Sequence, residues 1–279
     1  MANLLQTIED TAARGAGGLT PEARESVAGA LQALQCPGGG FAGLDGRADP
    51  YYSFFAWLSL RALGAAYDRG RLCVYMDANR RHANRINAYC AELVLAVEGR
   101  TAQRSWLRFA AAIVRGDTRG VYAAFLLMLT ARHVPRWVAR LAWRGQKRRL
   151  ARAVVERLPT PRLAAGCVLA TLAETDAAGI LSVLHARRCA SGGFASVANA
   201  APDLLATAIA RFACSFGPAM PCPRLGNERG PESHTREDLT FIEACWREDG
   251  LFGASPSALH GDGEHTFYGL LALGTCRAV

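Results

Sequence analysis

Cys189-Ala-Ser-Gly-Gly-Phe194-Ala-Ser, leading into the apolar run Asp203-Leu-Leu-Ala-Thr-Ala-Ile-Ala, is the middle member of a repeat that decides how this chain folds. An earlier copy reads Cys36-Pro-Gly-Gly-Gly-Phe41-Ala-Gly, followed by Asp49-Pro-Tyr-Tyr-Ser-Phe-Phe-Ala-Trp-Leu-Ser-Leu. A later copy reads Cys245-Trp-Arg-Glu-Asp-Gly-Leu-Phe252-Gly and leads to His265-Thr-Phe-Tyr-Gly-Leu-Leu-Ala-Leu. Each reads as a helix, a glycine-aromatic turn, a short loop and a second helix. The glycines permit positive φ and close helix approach, while the phenylalanine packs across the turn. Phe194 and Phe252 are 58 positions apart and Phe41 and Phe194 are 153 apart, or three steps of about 51. The spacing leaves room for five or six helical hairpins.

Outward from the turns, apolar residues recur every three or four positions through Val27 to Leu34, Leu58 to Leu63, Leu93 to Val97, Leu107 to Val114, Val154 to Leu158 and Leu204 to Phe212. Alternating strand patterns are scarce. Thr20-Pro21-Glu22 reads as an N-cap with proline at the first helical position, and Asp49-Pro50 repeats the device. The expectation is a single all-α domain over residues 1–279. Hairpins of this size cannot bury their apolar faces alone, so they must stack into an open solenoid or a closed ring.

The 279 residues are 51% hydrophobic and 20% charged, which excludes a disordered or collagen-like chain. Net charge is +8, carried by arginine with Lys147 as the sole lysine. Arginine suits bidentate contact with anionic groups, and the bias equally suits a GC-rich base composition. Nine cysteines occur singly, with no C-x-x-C pair of the redox or zinc type. The first residues lack the basic start and apolar run of a signal peptide, so a reducing cytoplasm is expected. The longest apolar stretch, Val121 to Thr130, has about half the length a bilayer requires, and no transmembrane segment is expected.

The repeats resemble the prenyltransferase and squalene-cyclase family, most nearly the β subunit of protein prenyltransferases. That family closes such hairpins into an α/α toroid around a deep apolar cavity. Gly192-Gly-Phe-Ala-Ser-Val-Ala-Asn-Ala-Ala-Pro-Asp203-Leu-Leu205 is similar, without gaps, to the segment that places a zinc-binding Asp two residues before a zinc-binding Cys. Asp262-Gly-Glu-His265-Thr-Phe-Tyr-Gly-Leu-Leu-Ala-Leu is similar to the segment that supplies the zinc-binding His. Residues 20–64 and 177–279 carry the resemblance, whereas 70–160 share only helical character.

The departures are as specific as the matches. Leu205 stands where the family has its thiolate-bearing Cys, Val197 and Ala200 where it grips diphosphate with Arg and Lys, and Ala206 where an aromatic follows the Cys. The pair Asp203 and His265 remains as residual metal ligands, short of the three that a tetrahedral catalytic zinc takes from protein. The resemblance leaves zinc or magnesium as the cofactors to test. Neither the D-x-D-D acid run nor the D-D-x-x-D magnesium motif of terpene cyclases occurs. A buried carboxylic acid of raised pKa beside an apolar cavity is the remaining route to cyclase chemistry.

The candidate catalytic residues are therefore Asp203, His265, Asp262 and Asp49. Each also has a plain structural role, since Asp203 precedes an apolar helical run, Asp49 precedes Pro50, and Asp262 either orients the His265 imidazole or sits at the positive end of a helix. Tyr51, Tyr52, Phe55, Trp57, Phe267 and Tyr268 are the candidate substrate-binding residues, as core packing or as the lining of an isoprenoid tunnel. Between Arg132 and Arg152, Arg136, Arg140 and Arg144 recur every four residues beside Trp137, Val138 and Leu141. The Arg136–Arg152 helix is a solvated face, or it rests on anionic lipid as a peripheral membrane contact, grips diphosphate or docks an acidic partner. No motif for nucleic acid accompanies the charge.

Two functions are expected from these residues. One is an isoprenoid-handling enzyme of the prenyltransferase or terpene-cyclase-like class. The other is a degenerate toroid serving as a lipid-binding or protein-interaction scaffold. For either function the resemblance implies a helical partner subunit as a candidate partner, since the family's β subunits carry one.

Overall fold

The computed structural model describes residues 4–82, 84–100, 155–216 and 231–277, together with scattered helical positions between 129 and 147. Most of the Arg136–Arg152 run lies outside the described residues. The helices are α1 (Leu4–Gly17), α2 (Pro21–Ala33), α3 (Pro50–Leu63), α4 (Arg69–Ala78), α5 (Arg85–Val97), α6 (Thr160–Leu172), α7 (Ala178–His185), α8 (Leu204–Phe216), α9 (Pro231–Ala244) and α10 (Gly263–Cys276). Two-residue strands β1 (Phe194–Ala195) and β2 (Pro202–Asp203) pair antiparallel in the second repeat. The chain is mostly helical, as the periodicity predicts.

Short polar side chains start these helices by accepting the backbone N–H groups that have no partner within the first turn. Thr20 Oγ1 accepts from the Ala23 N–H at 3.2 Å ahead of Pro21, and Asp49 Oδ1 accepts from the Tyr51 N–H at 2.8 Å ahead of Pro50. Asp68 and Asn84 do the same for α4 and α5. Gly64 ends α3 in the left-handed conformation, at φ +66°.

Burial separates the helices into two layers. In α3, α6, α8 and α10 most residues are buried, whereas α2 buries only Val27 and Leu31, and α7 only Leu184. The buried helices pack side by side in the order α5, α3, α10, α8, α6. On their outer faces α2 packs on α3, α4 on α5, α7 on α6 and α9 on α10. The contact between α3 and α10 joins the first repeat to the last. A helix buried on most sides must be largely apolar, and α3 and α10 are, with Ser53, Ser59, Thr266, Thr275 and the charged Glu264 as their buried polar exceptions.

The three turns share one hydrogen-bond pattern. The N–H groups of Cys36, Cys189 and Arg247 donate to the carbonyls of Gly40, Gly193 and Leu251, and those of Ala42, Ala195 and Gly253 donate back to Leu34, Arg187 and Cys245. Arg247, not Cys245, therefore occupies the place of Cys36 and Cys189, in the register set by the three phenylalanines. The identity is held by Gly39, Gly192 and Gly250, each two residues before its phenylalanine, at φ +96°, +88° and +81°. A Cβ on Gly39 would lie 2.2 Å from the Arg71 carbonyl oxygen of α4, and one on Gly192 would lie 2.2 Å from that of Glu237 on α9. On Gly250 it would lie 2.8 Å from Ser26 Oγ on α2. The third turn thus packs against the first outer helix.

α1 belongs to neither layer of repeats. It crosses α10 so closely that a Cβ on Gly15 would stand 1.9 Å from the Leu270 carbonyl oxygen, and one on Gly274 would stand 1.8 Å from that of Thr11. It also packs on α3, where Glu9 pairs with Arg61 at 2.9 Å.

Candidate active site

Each buried helix of a repeat opens with the same four-residue device. Asp49, Asp203 and Asp262 cap α3, α8 and α10, with Asp203 Oδ1 accepting from the Ala206 N–H at 2.7 Å and Asp262 Oδ1 from the His265 N–H at 2.8 Å. Four residues further on, Ser53, Thr207 and Thr266 accept the N–H of Phe41, Phe194 and Phe252 at 2.7, 2.9 and 3.1 Å. A buried amide without a partner is costly, so the aspartate and the hydroxyl are explained by folding in all three copies. Asp203 is thereby the counterpart of Asp262 rather than of His265.

The repeats differ most at the second and third of the three positions between cap and hydroxyl. In the second repeat they are Leu205 and Ala206; in the third they are Glu264 and His265; in the first they are Tyr51 and Tyr52. His265 Nδ1 lies 2.7 Å from Asp262 Oδ2, and a carboxylate can only accept, so the Nδ1 proton points at Asp262 and Nε2 is left for other work. Burial opposes a charged imidazole here, but the Asp262 hydrogen bond and the charges of Asp262, Glu264 and Asp203 outweigh it and raise the His265 pKa. Glu264 is 8% exposed, and its Oε1 accepts from the Tyr51 hydroxyl at 2.5 Å. Burial raises its pKa against the opposing pull of Tyr51 and His265.

Asp203 lies within electrostatic reach of His265, and burial raises its pKa while the Ala206 and Ser196 N–H groups and His265 hold it down. Asp262, Glu264 and His265 each offer a ligand atom within 4.8 Å of one another, and among the described residues they form the group able to hold a metal ion. Asp203 is not part of it. Two carboxylates and an imidazole are a donor set that a divalent cation accepts. Glu264 is the member that sequence reasoning passed over. Asn87 on α5 is another, donating to Asp49 Oδ2 at 2.9 Å and holding that cap rigid.

The aromatic candidates divide by position. Tyr51 meets Phe55 at 4.8 Å between centroids, and Phe55 meets Phe267 at 5.5 Å and Tyr268 at 5.2 Å, so rings run from Glu264 down into the bundle. They end at a cavity of about 50 Å³ with Phe55, Phe267 and Tyr268 on its wall, beside Phe212, Val168 and Leu271. Tyr52 stays at the polar end, where burial first and then the charges of Glu264, Asp262, Asp49 and Asp45 raise its pKa. Trp57 points elsewhere. Its indole N–H is shared between Glu98 Oε1 at 2.8 Å and the Tyr67 hydroxyl at 3.1 Å, a buried lock between α3 and α5. Trp57 therefore does not line this cavity.

Of the positions where the resemblance implies diphosphate contacts, Val197 is 42% exposed and Ala200 is exposed. Among the described residues of the basic run, Arg140 pairs with Glu174 at 3.1 Å and donates to the Ala173 carbonyl at the end of α6. No described helix is long and apolar enough to cross a membrane. Neither the models of known protein families nor the curated protein sequences match this chain.

Proposed function

We propose that the chain closes into an α/α toroid and acts as an isoprenoid-handling enzyme, with its reacting end at Glu264, His265 and Asp262. The closed ring is supported by the α3–α10 contact and by the Gly250 turn lying on α2, which bring the last repeat against the first. One observation carries the function. A buried pair of proton-bearing groups, Glu264 and His265, is connected through Tyr51 and Phe55 to an apolar cavity. Asp262 orients His265 so that Nε2 faces the reacting atoms, and Glu264, held toward its neutral form, supplies or takes back a proton. Phe55 and Phe267 present ring faces able to stabilise positive charge developing on an alkene. In place of that proton transfer, a divalent cation held by Asp262, ionised Glu264 and His265 Nε2 would supply charge for a diphosphate leaving group.

Incubation of the purified protein with dimethylallyl, geranyl and farnesyl diphosphates, with zinc or magnesium, followed by mass spectrometry, tests this reading. Conversion that falls at least about 10²-fold in His265→Ala and Glu264→Gln is the expected result. If no diphosphate binds or reacts, the enzymatic reading is lost.

Leu205, Val197 and Ala200 favour a second reading, in which the toroid has shed its chemistry and holds a lipid or a helical partner. Metal-free protein that turns over nothing yet binds a neutral prenyl alcohol would select it.

A further inference from the structure

We propose that α1 is the floor of the cavity and that Leu5 and Ile8 set the length of apolar chain it accepts. The inference rests on the reading above that the cavity holds such a chain. Helices α3 and α10 begin at the same end of the molecule, since Tyr51 and Glu264 in their first turns meet at 2.5 Å and Phe55 and Phe267 in their second turns meet at 5.5 Å. Descending both helices leads from the polar cluster through the rings to Leu58 and Leu271, which line the cavity one turn lower. α1 crosses beyond that point. Its Glu9 reaches Arg61 in the last turn of α3, and its Gly15 lies on Leu270 and Gly274 toward the end of α10.

Leu5 and Ile8 stand one turn apart on the same face of α1, and both line the cavity. The glycine crossing fixes their depth, because the backbones at Gly15 and Gly274 leave no room for a Cβ on either side. The cavity is small, about 50 Å³, so the shortest prenyl chain, of five carbons, is the one expected to fill it. Ten- and fifteen-carbon chains are expected to be held less well above this floor. Truncating both side chains to alanine removes about six carbons, or one further five-carbon unit of space.

Native mass spectrometry in competition between dimethylallyl, geranyl and farnesyl diphosphates reads the chain-length preference, and thermal shift with xenon, benzene and p-xylene reads the cavity without any diphosphate. Wild type is expected to favour the five-carbon chain and xenon. The Leu5→Ala/Ile8→Ala variant is expected to shift preference at least tenfold toward the ten-carbon chain and to take up benzene or p-xylene. Should the double variant not fold, Ile8→Phe is expected to reduce binding of xenon and of the five-carbon chain at least tenfold. A shift seen with the neutral probes alone, with no diphosphate bound to either protein, supports the floor and removes the isoprenoid reading. Unchanged size preference in both series, or wild type accepting the fifteen-carbon chain as well as the five-carbon one, overturns the proposal.

Discussion

The second and third repeats are built on the same turn, the same aspartate cap and the same hydroxyl under the same phenylalanine amide, yet one opens onto Leu205 and Ala206 and the other onto Glu264 and His265. The scaffold needs Asp203 and Asp262 for identical reasons, so an aspartate at this point in a repeat says nothing about chemistry. What distinguishes the third repeat is the buried Glu264 and the His265 that stand between its cap and its hydroxyl. The second repeat instead invests its charge on the outside of the turn, where buried Asp238 accepts from the Gly193 N–H at 2.8 Å and pairs with Arg188 at 3.0 Å and with Arg211.

The sharpest way to break the parallel is at the turn glycines. Gly192→Ala drives a Cβ into the Glu237 backbone at positive φ, and a loss of about 4 kcal/mol or more is expected in denaturant unfolding. Gly250→Ala meets a side-chain hydroxyl of Ser26 that can turn away, so about 1–3 kcal/mol is expected. Equal losses would mean that the two turns do not differ in their packing.

The shared hydroxyl gives an even comparison. Thr207→Val and Thr266→Val each strand the amide of a buried phenylalanine, and each is expected to cost about 1–3 kcal/mol, with the two values alike. A negligible cost at one site would show that its amide finds another partner.

The caps separate when pH is varied. Asp203→Asn and Asp262→Asn keep a capping side chain, but only Asp262→Asn removes the carboxylate from the His265 Nδ1 proton. The folded pKa of His265 is raised, so its contribution is complete below the unfolded value of about 6.5 and is lost as pH rises through the folded value. Melting temperatures are therefore expected to place the cost of Asp262→Asn at about 1 kcal/mol near pH 5.5 and closer to zero at pH 9. Asp203→Asn, which removes only a more distant charge from His265, shows a weaker form of this trend.

The smallest effect is expected at Glu264. Its raised folded pKa means that the native state holds the proton more tightly, so wild type loses stability as pH climbs from about 4.3 through the folded value. Glu264→Gln, by under about 1 kcal/mol, gains on wild type over that window, whereas Leu205→Gln in the second repeat shows no such rise.

Much of this was legible in the residues. Asp49-Pro50 and Thr20-Pro21 announce their helices because a cap and a first-turn proline act within one turn of chain, and the glycine-phenylalanine corners announce theirs because only glycine tolerates the required φ. Asp262 and His265 were also legible, being one turn apart at a helix start. Glu264 was not, since its partner Tyr51 is 213 positions away and its depth is set by the α3–α10 contact. Trp57 was misplaced by sequence because α3 is apolar on every face, and periodicity cannot say which face meets the cavity. The place of α1 follows from the Gly15–Gly274 crossing, which no local pattern reports.

The most direct measurement is a pH titration of the His265 imidazole by NMR, carried out with the cavity empty and with it filled by xenon. A midpoint above the ordinary histidine value and a changed Nε2 resonance on filling are expected if the polar cluster and the apolar cavity are one site. A midpoint at or below the ordinary value, with no response to xenon, would contradict it.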